Sequence, residues 1–176
     1  IGNVTSIKRI SDVMKSEGYT LAPQTVENYI SALVDSFILY PAQRYDIKGK
    51  EYLRFGEKYY VIDIGLRYLL LGKKGGDTGH ILENIVYLEL LRRGYSVYIG
   101  KVNSEEVDFV AVNAKGTEYY QVAQTVRSDV TLLRELRPLE NIRDHNPKFL
   151  LTLDNDPETS HNGIRQQNVL DWLSEL

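Results

Sequence analysis

Val107-Asp108-Phe109-Val110-Ala111-Val112 is nearly continuous in apolar residues and carries one carboxylate inside the run. A stretch of this kind reads as a strand covered on both faces. A carboxylate there costs several kcal/mol unless it is paired or bound to a cation, so Asp108 asks for partners. The next strand, predicted over Tyr119 to Thr125, puts Gln121 on one face with Tyr119 and Ala123 by the two-residue alternation. Upstream, Ile81, Leu82, Ile85, Val86, Leu88 and Leu91 mark a helix from His80 to Arg93, closed by Gly94. Glu83 falls one turn into that helix, and the spacing predicts that Glu83, Asp108 and Gln121 meet in one pocket.

The remaining elements follow from this centre. A strand is predicted over Tyr95 to Gly100, a helix over Asp129 to Ile142, a fourth strand over Lys148 to Leu153, and a closing helix over Val169 to Leu176 anchored by Trp172 and Leu173. From His80 onward the predicted order is α, β, β, β, α, β, α.

The first part of the chain has a different pattern. Thr5 to Gly18 reads as a helix capped by Thr5 or Ser6, with Ile7, Ile10, Val13 and Met14 at helical spacing. After a turn over Tyr19 to Pro23, Thr25 to Ser36 repeats that spacing through Val26, Tyr29, Ile30, Leu33 and Val34. Phe37 to Tyr45 and the pieces Glu51 to Arg54 and Lys58 to Ile62 read as a hairpin about the turn Asp46-Ile47-Lys48-Gly49-Lys50. Helix, turn, helix, hairpin is the order of a winged helix, and a further helix is predicted over Asp63 to Leu71. Four glycines in the eight residues Gly72 to Gly79 mark the sharpest change in composition. The expected organisation is a winged helix-turn-helix unit with its trailing helix over 1–71, a connector over 72–79 and an α/β unit over 80–176. The glycine stretch lacks the Lys-Ser or Lys-Thr and the preceding strand of a phosphate-binding loop.

Composition excludes several function classes. With no cysteine, the chain has no disulfide framework, thiolate metal site or Cys nucleophile. No stretch approaches the apolar length that crosses a bilayer, and Ile1 to Thr5 carries no leader signature, so a cytoplasmic protein is expected. The absence of an initial Met leads us to expect that the chain begins inside a longer polypeptide. The net charge of −3 is uneven: Pro41 to Lys74 carries eight Lys or Arg against four Asp or Glu, a local +4 that leaves −7 elsewhere. His80, His145 and His161 lack metal-like spacing, and Asp154-Asn155-Asp156-Pro157 reads as a turn rather than a calcium loop.

The order of the second unit resembles the PD-(D/E)XK nuclease superfamily: an acidic residue on a helix, Asp on the second strand, and Glu-x-Lys or Asp-x-Lys on the third. The likeness covers Gly79 to about Leu153. It implies a mixed α/β core in which two carboxylates hold magnesium, here Glu83 and Asp108, while a lysine orients the attacking water. The third-strand motif departs from that pattern, reading Gln121-Val122-Ala123. An amide in place of a carboxylate removes a unit charge beside the cation, about 4 kcal/mol at 4 Å and an effective dielectric of 20. Ala123 stands where the lysine belongs, and an amine arriving there from elsewhere in the chain would overturn the inactive reading.

Over most of its length the chain also resembles the C-terminal region of a family of prokaryotic AAA+-type ATPases. The likeness is carried by Thr25-Val-Glu-Asn-Tyr-Ile30, Tyr45-Asp-Ile-Lys-Gly-Lys50, Lys58-Tyr-Tyr-Val-Ile-Asp-Ile-Gly-Leu-Arg67, Leu82-Glu-Asn-Ile-Val-Tyr-Leu-Glu-Leu-Leu-Arg-Arg-Gly94, Glu106-Val-Asp-Phe109 and Tyr120-Gln-Val-Ala123. It implies an ATP-binding half N-terminal to Ile1; the chain itself has no P-loop. In the winged helix, Gln24, Thr25, Asn28 and Tyr29 would face the major groove, and Lys48 and Lys50 would touch phosphates. The leading expectation is an accessory region that binds DNA or a partner through its winged helix and keeps a non-cleaving nuclease fold. The alternatives are a magnesium-dependent DNA nuclease using Glu83 and Asp108, and a pure protein-interaction module. Self-association is a further candidate.

Overall fold

The computed structural model describes residues 5–72 and 78–175. Its elements are α1 (Ile7–Ser16), α2 (Pro23–Asp35), β1 (Leu39–Asp46), β2 (Glu51–Val61), α3 (Ile64–Leu71), α4 (Thr78–Arg92), β3 (Ser96–Val102), β4 (Glu105–Asn113), β5 (Gly116–Val122), α5 (Asp129–Glu140), β6 (Lys148–Thr152), β7 (Thr159–His161), β8 (Ile164–Asn168) and α6 (Val169–Ser174). The predicted helices stand where their caps place them. The Ser6 hydroxyl accepts from the Arg9 amide at 3.2 Å, and the Asp63 carboxylate accepts from Gly65 at 2.6 Å. Gly94, at φ +83°, lets the Leu91 and Leu90 carbonyls be satisfied by the amides of Gly94 and Tyr95.

Among the described residues, the eight strands form one mixed α/β sheet in the order β2-β1-β3-β4-β5-β6-β8-β7. The β1–β3, β5–β6 and β6–β8 pairs are parallel, and the β1–β2, β3–β4, β4–β5 and β7–β8 pairs antiparallel. The hairpin from the N-terminal part therefore continues the sheet of the C-terminal part, through Arg44–Asp46 against Ile99–Lys101. Most of the expected connector, residues 73–77, lies outside the described residues.

Two apolar layers cover the sheet. On one face α4 and α6 bring Leu82, Val86, Tyr87, Leu90, Val169 and Trp172 against Phe109, Tyr120, Val122 and Leu151. On the other, α5 brings Leu136 and Leu139 against Val107, Val110, Tyr119, Ala123 and Leu150. The helix α4 is buried on more than its sheet-facing stripe, because Glu83 and Asn84 turn towards β2.

The order after α5 differs from the expectation in having a second hairpin, β7–β8. Its residues are polar and carry no apolar alternation, so they read as loop. The signal was Asn162-Gly163, whose φ values of +52° and +86° are those of a two-residue type I′ turn. The two predicted pieces Glu51–Arg54 and Lys58–Ile62 belong to one strand, β2, whose pairing with β1 is interrupted between Leu53 and Lys58.

Candidate functional site

Asp108 owes its position to an irregularity in the sheet. Tyr98 pairs with Val110 and Gly100 with Val107, so two residues of β4, Asp108 and Phe109, face the single residue Ile99 of β3. This bulge re-aims the Asp108 side chain. Gly100 makes it feasible, since a Cβ there would lie 2.8 Å from the Val107 Cβ. Beyond the Phe109–Tyr120 pair, side chains replace the β4–β5 ladder. The Val122 amide donates to Asp108 Oδ2 at 2.8 Å, and the Asp108 amide to Gln121 Oε1 at 3.3 Å. Gln121 Nε2 then donates to Glu135 Oε2 of α5 at 3.0 Å.

Glu83 makes no direct contact with Asp108 or Gln121 among these bonds, and belongs instead to a second group centred on a residue that sequence reasoning did not select. Lys58 of β2, 3% exposed, directs its ammonium to Glu83 Oε1 at 2.9 Å and to Glu106 Oε1 at 2.6 Å. The Tyr60 hydroxyl donates to the same Glu83 oxygen at 2.6 Å, and His80 Nδ1 lies 3.8 Å from the other. The signal available was the alternation itself: Lys58 and Tyr60 share a face of a strand rich in tyrosine, where a solvated lysine has little place. One residue further, Asn84 accepts from the Val61 amide and donates to the Val61 carbonyl, each at 2.9 Å. The hairpin is thus fastened to α4 at two adjacent points.

Lys58 enters from the α4 face, whereas Gln121 and Ala123 look towards α5, with Ala123 packed among Val126, Leu136 and Leu139. The amine therefore sits with Glu83 and Glu106 and does not stand where Ala123 stands. Burial alone would depress the Lys58 ammonium, but the charges of Glu83, Asp108 and Glu106 outweigh it and hold its pKa above the ordinary value.

The carboxyl of Asp108 is held well above the usual range, first by burial and then by the charge of Glu83, against the pull of Lys58 and the Val122 amide. A raised acid favours the folded state while it stays protonated there. That stabilisation is intact below about pH 4, the ordinary carboxyl pKa, and declines as pH climbs towards the raised value. Asp108→Asn keeps an acceptor for the Val122 amide and never ionises. It should therefore unfold at higher denaturant concentration than the parent at pH 7, with the difference closing near pH 4. Equal or lower stability at pH 7 would refute this account.

These contacts test the magnesium expectation. One oxygen of Glu83 is taken by Lys58 and Tyr60, one of Asp108 by the Val122 amide, and the Gln121 carbonyl oxygen by the Asp108 amide. Among the described residues no three His, Asp or Glu side chains are grouped to hold a metal ion. As arranged, Glu83 and Asp108 do not fit magnesium, because Lys58 already pairs with Glu83 and the Val122 amide occupies an Asp108 oxygen.

The residues predicted to meet DNA fall in two places. On α2, Gln24, Asn28 and Tyr29 are exposed and Thr25 is half-buried; Gln24 Nε2 lies 3.3 Å from both Glu27 Oε2 and Asn28 Oδ1. Lys48 and Lys50 are exposed at the far end of the β1–β2 hairpin, seven residue steps along β1 or roughly 23 Å at 3.3 Å per residue. There they border a cavity of about 410 Å³ with Asn103, Asn141 and Arg143. Among the described residues, no helix is long and apolar enough to cross a membrane.

Residues 1–77 match the family described as a domain of unknown function, DUF8612. The chain is similar to an uncharacterised protein of Haemophilus influenzae, 39% identical over 173 residues, which cover 98% of this chain and 42% of that protein. It is also 30% identical over 158 residues to the uncharacterised protein MJ1544 of Methanocaldococcus jannaschii, covering 87% of this chain and 33% of that one. The chain thus spans less than half the length of these relatives. No solved structure matches it.

Proposed function

We propose that the chain is an accessory region of an AAA+-type ATPase, in which a winged-helix unit formed by α1, α2 and the β1–β2 hairpin binds nucleic acid and a PD-(D/E)XK-like core serves as a scaffold that does not cut. The observation that carries this reading is the Lys58 ammonium seated between Glu83 and Glu106. It occupies Glu83, a carboxylate that metal-assisted cleavage would need free. The exposed Lys48 and Lys50, and the polar surface of α2 at Gln24 and Asn28, support the nucleic-acid part.

Incubated with plasmid and branched DNA in magnesium or manganese, the chain should leave the substrates intact. Metal-dependent cutting that Asp108→Ala abolishes would overturn the scaffold reading. In fluorescence anisotropy, DNA affinity should fall with salt, and the Lys48→Ala, Lys50→Ala double variant should weaken it and flatten the salt slope by about two counterions. A protein-docking reading is favoured by the exposed rings Tyr19, Tyr29 and Phe37, at 62%, 60% and 69%. That reading requires no salt-dependent DNA affinity at all.

A further inference from the structure

We propose that the β2–β1–β3 end of the sheet binds a single-stranded nucleic acid: Tyr52, held by Tyr45 and Tyr98, stacks an unpaired base, while Lys48, Lys50 and Arg143 around the adjoining cavity take the phosphates. The inference rests on the nucleic-acid part of the reading above, but puts the base contact on the sheet rather than on α2.

Three tyrosines from adjacent strands make the platform. Tyr45 of β1 stands opposite Tyr52 of β2, and Tyr98 comes from β3 on the other side of β1. The ring centroids of Tyr52 lie 5.5 Å from Tyr45 and 5.2 Å from Tyr98. Tyr45 and Tyr98 are half-buried and pack against the core on the α5 side, whereas Tyr52 is 60% exposed. A ring held by two neighbours and still mostly exposed loses little freedom when a base covers it. A duplex keeps its base faces stacked inside, so only an unpaired strand can use that ring.

The charge beside the platform suits the same ligand. The cavity of about 410 Å³ starts at Ile47, two residues from Tyr45, and is bordered by Lys48, Lys50 and Arg143. Asp46 fixes the turn that carries the lysines by accepting from the Lys48 and Gly49 amides at 3.0 and 2.9 Å. The neighbouring acids are engaged elsewhere. Asp144 accepts from the Tyr119 hydroxyl at 2.6 Å, and Glu105 pairs with Arg137 and accepts from Asn141 at 2.6 Å. Glu51, opposite Asp46 across the hairpin, alternates with Tyr52 to the other face of β2. Among the described residues, no carboxylate pairs with Lys48, Lys50 or Arg143, so three cations border one cavity without a counter-charge.

Fluorescence anisotropy with a labelled oligothymidine of about 15 nucleotides, within the span that such sites cover, tests the proposal. Tyr52→Ala should weaken binding of this strand about ten-fold, as the loss of one stacked base does, and leave a duplex of equal length unaffected. Tyr52→Phe keeps the ring and should bind like the parent. An abasic strand keeps the phosphates and should bind the parent about ten-fold more weakly than oligothymidine, a measurement that needs no variant to fold. Arg143→Ala should flatten the single-strand salt slope by about 0.7, the value for one phosphate contact. An oligouridine of the same length distinguishes RNA from DNA as the tighter ligand. Tyr52→Ala that binds the single strand like the parent, or an abasic strand that binds as well as oligothymidine, would overturn the proposal and leave the α2 contact standing. Conversely, a Gln24→Ala, Asn28→Ala double variant with unchanged duplex affinity would sink the α2 contact and leave the tyrosine platform in place.

Discussion

Lys58→Ala is expected to lose about 3–5 kcal/mol of folding stability, the cost of removing one partner from a buried ion pair. Fluorescence of the lone Trp172 during denaturation in urea reports it. The loss exceeds that of a surface lysine because Glu83, 7% exposed, would keep a buried carboxylate that the Tyr60 hydroxyl and the more distant His80 do not neutralise as the ammonium does. Lys48→Ala, on the exposed turn, should stay within about 0.5 kcal/mol of the parent and serves as the control. The pH dependence carries a sign. The Lys58 pKa is raised in the folded state, so its contribution is complete below about pH 10, the ordinary range for lysine, and is lost as pH rises through the folded value. The gap between parent and variant should stay level from neutral pH to about 10 and narrow beyond it. A loss below about 1 kcal/mol, as for solvent-screened pairs, would show that the ammonium is not the centre of the cluster.

Asn84→Ala should cost roughly 2–4 kcal/mol, because it strands both the amide and the carbonyl of Val61 away from water, at about 1–3 kcal/mol for each orphaned group. Asn84 is 1% exposed, so no solvent is at hand to replace it. A second variant separates hydrogen bonding from packing. Asn84→Asp preserves the shape and the acceptor for the Val61 amide but removes the donor to the Val61 carbonyl. It should be at least as damaging at neutral pH. Amide hydrogen exchange at Val61 should accelerate in both variants relative to Leu150 in the centre of the sheet. Unchanged protection at Val61 would mean that the α4–β2 junction does not depend on Asn84.

The sequence was most informative where one periodicity dominated. The helices α1 to α5 and the strands β3 to β6 lie within a few residues of their predicted positions, because apolar spacing and caps such as Ser6, Asp63 and Gly94 act locally. The Asp108–Gln121 contact was also legible, since a lone carboxylate in an apolar strand needs a neighbour and the two-residue alternation supplies one. Lys58 was not, because its role depends on the β1–β3 pairing, a contact between residues more than fifty positions apart. Nor was Asn84: nothing local says that a helical amide will imitate a neighbouring strand. The β7–β8 hairpin was hidden by its polarity, since Gln166 and Gln167 are buried against neighbouring strands without an apolar signature.

A sheet assembled from strands on both sides of residues 73–77 does not depend on that stretch of backbone for its cohesion. The rungs from Arg44 to Asp46, together with the clasps at Lys58 and Asn84, are non-covalent contacts that join the parts on either side of that stretch. Each clasp joins residues more than twenty positions apart, so a change at one half leaves a buried polar partner on the other without its match.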